Sequence, residues 1–138
     1  VQLARYVSTI ANGGKNYSLT LLDKVVSSKG KTVLKKKSKL TNTVDASGST
    51  WDAIHTGMRE VITEGTVYKY FKDTKINIAG KSGTAQENKK RNSHALFVAY
   101  APYDNPEICV SVCIQHGYSS GTSIDLTADI YKIYYGLE

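Results

Sequence analysis

Three runs at 78–87, 94–100 and 107–116 are rich in β-branched or small apolar residues, and only short polar turns part them. This spacing constrains the fold more than any other feature of the chain. Asn88-Lys89-Lys90-Arg91-Asn92 joins the first pair and Pro102-Tyr103-Asp104-Asn105-Pro106 the second. Parallel neighbours need a crossover of a dozen residues or more, so links this short predict an antiparallel meander. In the third run Ile108, Val110, Val112 and Ile114 alternate with Cys109, Ser111 and Cys113. Neither set is strongly polar, which predicts a strand covered on both faces.

Helical periodicity brackets these strands. Leu3, Ala4, Val7, Ile10 and Ala11 share one face of a helix over 1–12, and Asn12-Gly13-Gly14 supplies the left-handed residues that stop it. Stretches 19–27 and 31–40, parted by Ser28-Lys29-Gly30, predict a peripheral hairpin, and 41–48 reads as a polar loop. Ser49 or Thr50 then caps a helix with Trp51, Ile54, Met58, Val61 and Ile62 on one side, ended by Gly65. The stretch 66–71 is ambiguous between a helical turn and an extended segment. After a loop at 117–121, Thr122 or Ser123 caps a final helix bearing Leu126, Ala128, Ile130, Ile133 and Tyr134. The expected class is α+β: an antiparallel sheet of three strands plus a peripheral hairpin, packed with helices.

At 138 residues the chain is one domain long. It carries no apolar run of membrane-spanning length and no leader pattern. Val1 enters its amphipathic pattern part-way, with neither an initiator Met nor an N-cap, so the chain is expected to be part of a longer one. Cys109 and Cys113, four apart in a strand, lie about 13 Å from one another and cannot form a disulfide. They are expected to be buried, unpaired thiols. His55, His94 and His116 show no metal-ligand spacing with them, and neither a metal nor a cofactor is expected. The net charge of +6 is concentrated in the hairpin, at Lys29, Lys31, Lys35, Lys36, Lys37 and Lys39. Such a cluster suits nucleic acid, anionic lipid or an acidic polymer, or is simply a solvated face, the reading preferred at this stage. No aromatic residue is interleaved to stack bases, so nucleic acid is not expected as a partner.

The strongest local signal is Ala79-Gly80-Lys81-Ser82-Gly83-Thr84-Ala85-Gln86. These small and hydroxyl-bearing residues have a local cost in strand propensity. Glycine inside a strand marks close approach of another backbone. Strand alternation puts Ser82 and Thr84 on one side, where two hydroxyls suit a carboxylate, and N–H groups beside Gly83 can meet a peptide or an oxyanion. An edge strand used so recognises peptides by strand addition. A phosphate loop is excluded, because Lys75 stands where its first glycine belongs.

Lys81-Ser82-Gly83 matches the lysine–hydroxyl–glycine motif of penicillin-binding proteins and serine β-lactamases. Residues 3–14, ending in Ala11-Asn12-Gly13-Gly14, resemble the helix after the second motif of class B transpeptidases, with a lean towards the elongation type. Residues 80–86 are similar to that family's Gly-Lys-Thr-Gly-Thr-Ala-Gln, and 95–102 to its next strand, usually Trp-Phe where Leu96-Phe97 stands. The matches run in family order along nearly the whole chain. The resemblance is to the C-terminal part of the transpeptidase domain of a class B penicillin-binding protein, with 1–138 as one truncated domain of partial β-lactamase/transpeptidase-like fold.

That resemblance implies a parent enzyme that cross-links peptidoglycan as a D,D-transpeptidase through a serine acyl-enzyme. It implies as partners a stem peptide ending in D-Ala-D-Ala, β-lactams, and the N-terminal half of the same domain. It implies a location at the extracytoplasmic face of the cell membrane, anchored by a segment outside this sequence. Lys81 and Thr84 would be catalytic: Lys81 supports proton movement, and the Thr84 N–H is one of two oxyanion donors. Lys81, Ser82, Gly83 and Thr84 would together bind substrate, the two hydroxyls holding its carboxylate.

Two family motifs have no credible counterpart. Ser28-Lys29-Gly30-Lys31 has the Ser-x-x-Lys form but lies in a glycine-containing turn, and Tyr103-Asp104-Asn105 has the Tyr-x-Asn form inside a hairpin link. Both motifs precede Val1 in the family, so the chain by itself is expected to be inactive. Its final strand is expected to have an open edge, prone to self-association. A non-enzymatic module binding peptides or wall polymers is the alternative.

Overall fold

A computed structural model describes residues 1–137. Helix α1 (Gln2–Ala11) is followed by four short strands, β1 (Lys15–Tyr17), β2 (Lys24–Val26), β3 (Thr32–Lys35) and β4 (Leu40–Thr43). Helices α2 (Gly48–Thr63) and α3 (Tyr68–Phe71) lead into β5 (Ala79–Ala85), β6 (His94–Ala101) and β7 (Ile108–Ile114), and α4 (Gly121–Tyr135) closes the chain. The last three strands form an antiparallel sheet in the order β5-β6-β7, the expected meander.

Helices cover both faces of this sheet. One face buries Phe97, Ala99, Val110 and Val112 against Ile62, Phe71, Ile124 and Tyr131 from α2, α3 and α4. The other packs Ala79 and Tyr100 against Val7, Ile10 and Ala11 of α1 and Met58 of α2. Phe97 and Tyr131 are wholly buried, and Phe97 contributes about 1.5–3 kcal/mol by leaving water. Alternation along β7 sends Val110 and Val112 to the first cluster and Cys109 to the second, so the strand is double-faced as predicted. Its outer edge pairs with no strand among the described residues.

The turn after α1 depends on glycine. Gly14 has φ +94°, and a Cβ there would lie 2.5 Å from the Val44 carbonyl oxygen and 2.7 Å from the Trp51 ring. The Val44 N–H also donates to the Gly14 carbonyl at 2.9 Å, closing a loop from the end of α1 to the start of α2.

Several expectations are corrected. The predicted loop at 41–48 begins as strand: β4 pairs antiparallel with β1, which alternation did not show because all of β4 is exposed. The hairpin is shorter than expected, with only β2 and β3 on its ladder and a register shift between Val25 and Val26. Ser47, not Ser49 or Thr50, caps α2, its Oγ accepting from the Thr50 N–H at 3.2 Å. The ambiguous stretch contains the helical turn α3. Helix α4 begins after Ser120 with no side-chain cap, and Ser123 Oγ instead donates to the Ser120 carbonyl at 2.7 Å. It buries Ser123, Ile124, Thr127, Ala128 and Tyr131 and leaves Leu126, Ile133 and Tyr134 exposed. The buried set follows the i, i+3, i+4 spacing and includes two hydroxyl residues, so of the apolar residues expected on this helix only Ala128 and Ile130 reach the core. Leu3, expected on the apolar face of α1, is 41% exposed. Both cysteines are free, but neither is buried as expected: Cys109 is half-buried and Cys113 exposed, since α1 covers only the Cys109 end of that face.

Candidate functional site

The segment Lys81–Thr84 lies on an edge. Among the described residues strand β5 pairs only with β6, setting Lys81 against Val98, Ser82 against Phe97, Gly83 against Leu96 and Thr84 against Ala95. Its outer backbone N–H and C=O groups face away from the sheet. Ala79 and Gly80 are buried, Ser82 and Gly83 are half-buried, and Lys81 and Thr84 are exposed. The strand therefore rises out of the core into an accessible edge.

Its buried end is fixed from three sides. A Cβ on Gly80 would stand 2.9 Å from Phe97 Cζ and 2.9 Å from the Val98 carbonyl oxygen, so only glycine lets β5 lie this close to β6. Arg59 of α2 donates through Nη1 to the Ile78 carbonyl at 2.6 Å and through Nη2 to Asn77 Oδ1 at 3.2 Å. The same guanidinium lies 6.0 Å from the centre of the Tyr103 ring, and the Tyr103 N–H donates to the Asn77 carbonyl at 2.7 Å. No sequence pattern points to Arg59, because its partners come from two distant loops.

At the accessible end, Lys81 Nζ donates to the Ser82 carbonyl at 2.9 Å. No ion pair among the described residues involves it. The Ser82 and Thr84 hydroxyls lie on one face by alternation and have no hydrogen-bond partner among the described residues. Lys81, Ser82 and Gly83 join Leu3, Leu96 and Val98 around an open hollow of about 230 Å³. Lys81 lies beside this apolar floor, the Ser82 and Thr84 hydroxyls stand on the opposite face, and the bare strand edge runs between them, an arrangement that can hold an extended peptide along its backbone.

The far end of the strand carries a second cluster not foreseen from sequence. His94 and His116 lie 4.9 Å apart, ring centre to ring centre, the His116 N–H donates to His94 Nδ1 at 3.2 Å, and Glu87 Oε2 is 3.7 Å from His94 Nε2. The meander register was the available signal, since it sets Ala95 against Ile114 and so brings 94 near 116. No group of metal-ligating side chains occurs among the described residues.

The other sequence candidates lie elsewhere. Ser28-Lys29-Gly30-Lys31 is the exposed turn of the β2–β3 hairpin, with Gly30 at φ +75°, and is no helix start. Tyr103 stacks on Tyr100 at 6.5 Å. Burial pushes the Cys109 thiol up to about 11, partly offset by a hydrogen bond with Ser8. A thiol so held stays protonated near neutral pH and is a poor nucleophile.

The family model described as the penicillin-binding protein transpeptidase domain matches residues 1–133. Penicillin-binding protein 2A of Bacillus subtilis is 35% identical over 132 residues, covering 86% of this chain and 18% of that protein. The peptidoglycan D,D-transpeptidase MrdA of Haemophilus influenzae is 39% identical over 101 residues, covering 61% of this chain and 16% of that protein. The solved structure of penicillin-binding protein 2B of Streptococcus pneumoniae superposes with a TM-score of 0.86 at 28% identity, over 99% of this chain and 24% of that one. The chain spans less than a fifth of the length of these two curated relatives.

Proposed function

The chain belongs to the penicillin-binding protein transpeptidase family, and on that premise we propose that residues 1–138 are the C-terminal portion of a transpeptidase domain whose parent cross-links peptidoglycan through a serine acyl-enzyme. The observation that carries this reading is the accessible outer edge of Lys81–Thr84. A stem peptide ending in D-Ala-D-Ala lies along that edge as an added strand, backbone to backbone. Its terminal carboxylate is received by the Ser82 and Thr84 hydroxyls in the field of the Lys81 ammonium. Gly83 carries no side chain, which leaves room for the incoming backbone.

Carbonyl attack places negative charge on the substrate oxygen, and the Thr84 N–H is one donor to it. Such a donor lowers a barrier by about 2.7–4 kcal/mol. The second donor is the N–H of the nucleophile, which lies outside this sequence. Lys81, freed from the Ser82 carbonyl, supports proton movement between the missing motifs. A β-lactam presents a carboxylate and a reactive carbonyl in the same relation, and is held in the same way. The parent acts at the extracytoplasmic face of the membrane, where stem peptides are cross-linked. Among the described residues no helix is long and apolar enough to cross a membrane.

The partner that completes the site is the N-terminal half of the domain. Without it the outer edges of β5 and β7 favour self-association. A fluorescent penicillin tests the reading. The chain alone forms no covalent adduct, and adding the N-terminal half produces one on a serine of that half. An adduct on any side chain of residues 1–138 overturns it.

A further inference from the structure

The hairpin of β2 and β3 takes no part in the site above. Seven lysines fall between positions 23 and 39 against a single acid, Asp23, so this segment alone equals the chain's net charge of +6 and the remainder nets to zero. Every residue of both strands is exposed, and neither strand has substantial packing with any element but the other. The ion pairs among the described residues are His94–Glu87 and Lys132–Asp129, so none neutralises the arm. Lys24 stands directly across the ladder from Lys35, and like charges so placed destabilise a hairpin. An ordinary solvated face intersperses both signs. This arm is instead a projecting, uncompensated cation on an otherwise neutral domain.

The distribution of side chains selects the kind of anion. Val33 shares a face with Lys35 and Lys24, while Val25 and Leu34 pair on the opposite face. Lys36 continues the ladder, its N–H donating to the Asp23 carbonyl at 2.7 Å, and so falls on the Leu34 side. Both faces therefore mix lysine with aliphatic residues, whereas insertion into a bilayer surface calls for an apolar face set apart from a charged one. Adsorption to anionic headgroups needs no such face, and titration with vesicles separates that case. No aromatic residue occurs between 18 and 44 to stack on bases. We propose that the arm is a docking site for a linear polyanion, a chain of repeated phosphate or carboxylate groups that lies along the hairpin and neutralises its lysines. The inference does not depend on the transpeptidase reading, and its test reads only the arm.

The full chain is titrated with inorganic polyphosphate, poly-γ-glutamate, single-stranded DNA and vesicles of phosphatidylglycerol and phosphatidylcholine. Saturable binding of polyphosphate is expected, weakening by about a thousandfold between 50 and 200 mM salt. Equal binding of polyglutamate assigns a general polyanion site, and weaker binding a phosphate polymer. The triple variant Lys31→Gln, Lys35→Gln, Lys37→Gln should lose about tenfold or more in affinity at 50 mM salt, where charge contacts dominate. Lys72→Gln, Lys89→Gln, Lys90→Gln removes the same charge elsewhere and should change affinity by less than about twofold. All six positions are exposed, so the thermal midpoints of both variants should stay near the parent's. Equal losses in the two variants, binding to vesicles alone, or DNA binding tighter than polyphosphate of equal charge overturns the proposal.

Discussion

Arg59 holds Ile78 at the entrance to the candidate strand: its Nη1 donates to the Ile78 carbonyl at 2.6 Å, one residue before β5 begins. Ile78 is wholly buried, so the guanidinium satisfies a carbonyl with little access to water. Replacing it should leave that acceptor unpaired, at a cost of about 1–3 kcal/mol. Arg59→Ala is expected to lower the unfolding free energy by that amount, read as a lower urea midpoint at unchanged slope, and Arg59→Lys, which keeps one charged donor, to recover part of it. An unchanged midpoint in Arg59→Ala would show that α2 does not fix the strand.

The two glycines of β5 should separate stability from binding. Gly80→Ala forces a methyl to 2.9 Å from both the Phe97 ring and the Val98 carbonyl oxygen, and overpacking of this kind costs about 1–3 kcal/mol. At Gly83 the nearest atom to an added methyl is Leu96 Cβ at 3.5 Å, an ordinary contact. Thermal melts should show a lower midpoint for Gly80→Ala and little change for Gly83→Ala. In the reconstituted domain Gly83→Ala should nevertheless slow acylation by penicillin, because the methyl stands where the ligand backbone approaches.

Hydroxyl deletions test the carboxylate cradle. Ser82 and Thr84 make no hydrogen bond among the described residues that their loss would break, so Ser82→Ala and Thr84→Ala should each stay within about 0.5 kcal/mol of the parent in stability. Each should lower kcat/KM, or the acylation rate of the reconstituted enzyme, by about ten- to a hundredfold, the value of a hydrogen bond to a charged group. Unchanged acylation in the double variant would remove the hydroxyls from the site.

The two cysteines should differ in reactivity and in pH response. A disulfide reagent at pH 8 should modify exposed Cys113 quickly and Cys109 slowly, and Cys113→Ser should abolish the fast phase. Burial raises the Cys109 thiol from 9.0 to about 11 and the Tyr100 hydroxyl from 10.0 to about 12. A raised acid keeps its proton more firmly in the folded chain, so its stabilisation is complete below the unfolded value and is lost as pH climbs to the folded one. Stability should therefore fall from about pH 9 to pH 12. Cys109→Val should flatten the lower part of that decline.

Patterning determined much of this protein before any coordinates. Short links between three apolar runs fixed the β5-β6-β7 meander, because a chain with five or so connecting residues can only turn back on itself. The composition of 79–86 singled out the candidate strand, whose small residues carry a cost in strand propensity that packing explains at Gly80 but not at Gly83. Pattern failed where exposure removed it, as in β4, and where a helix buries hydroxyls, as α4 does with Ser123 and Thr127. Only the tertiary structure decided the rest. Arg59 finds Ile78, and His94 finds His116, across gaps that no periodicity spans. The lysine run was legible as charge, but its standing as an unpacked arm depends on what fails to cover it. Local sequence sets what each segment prefers, and only the assembled fold decides which polar groups meet and which stay open to solvent.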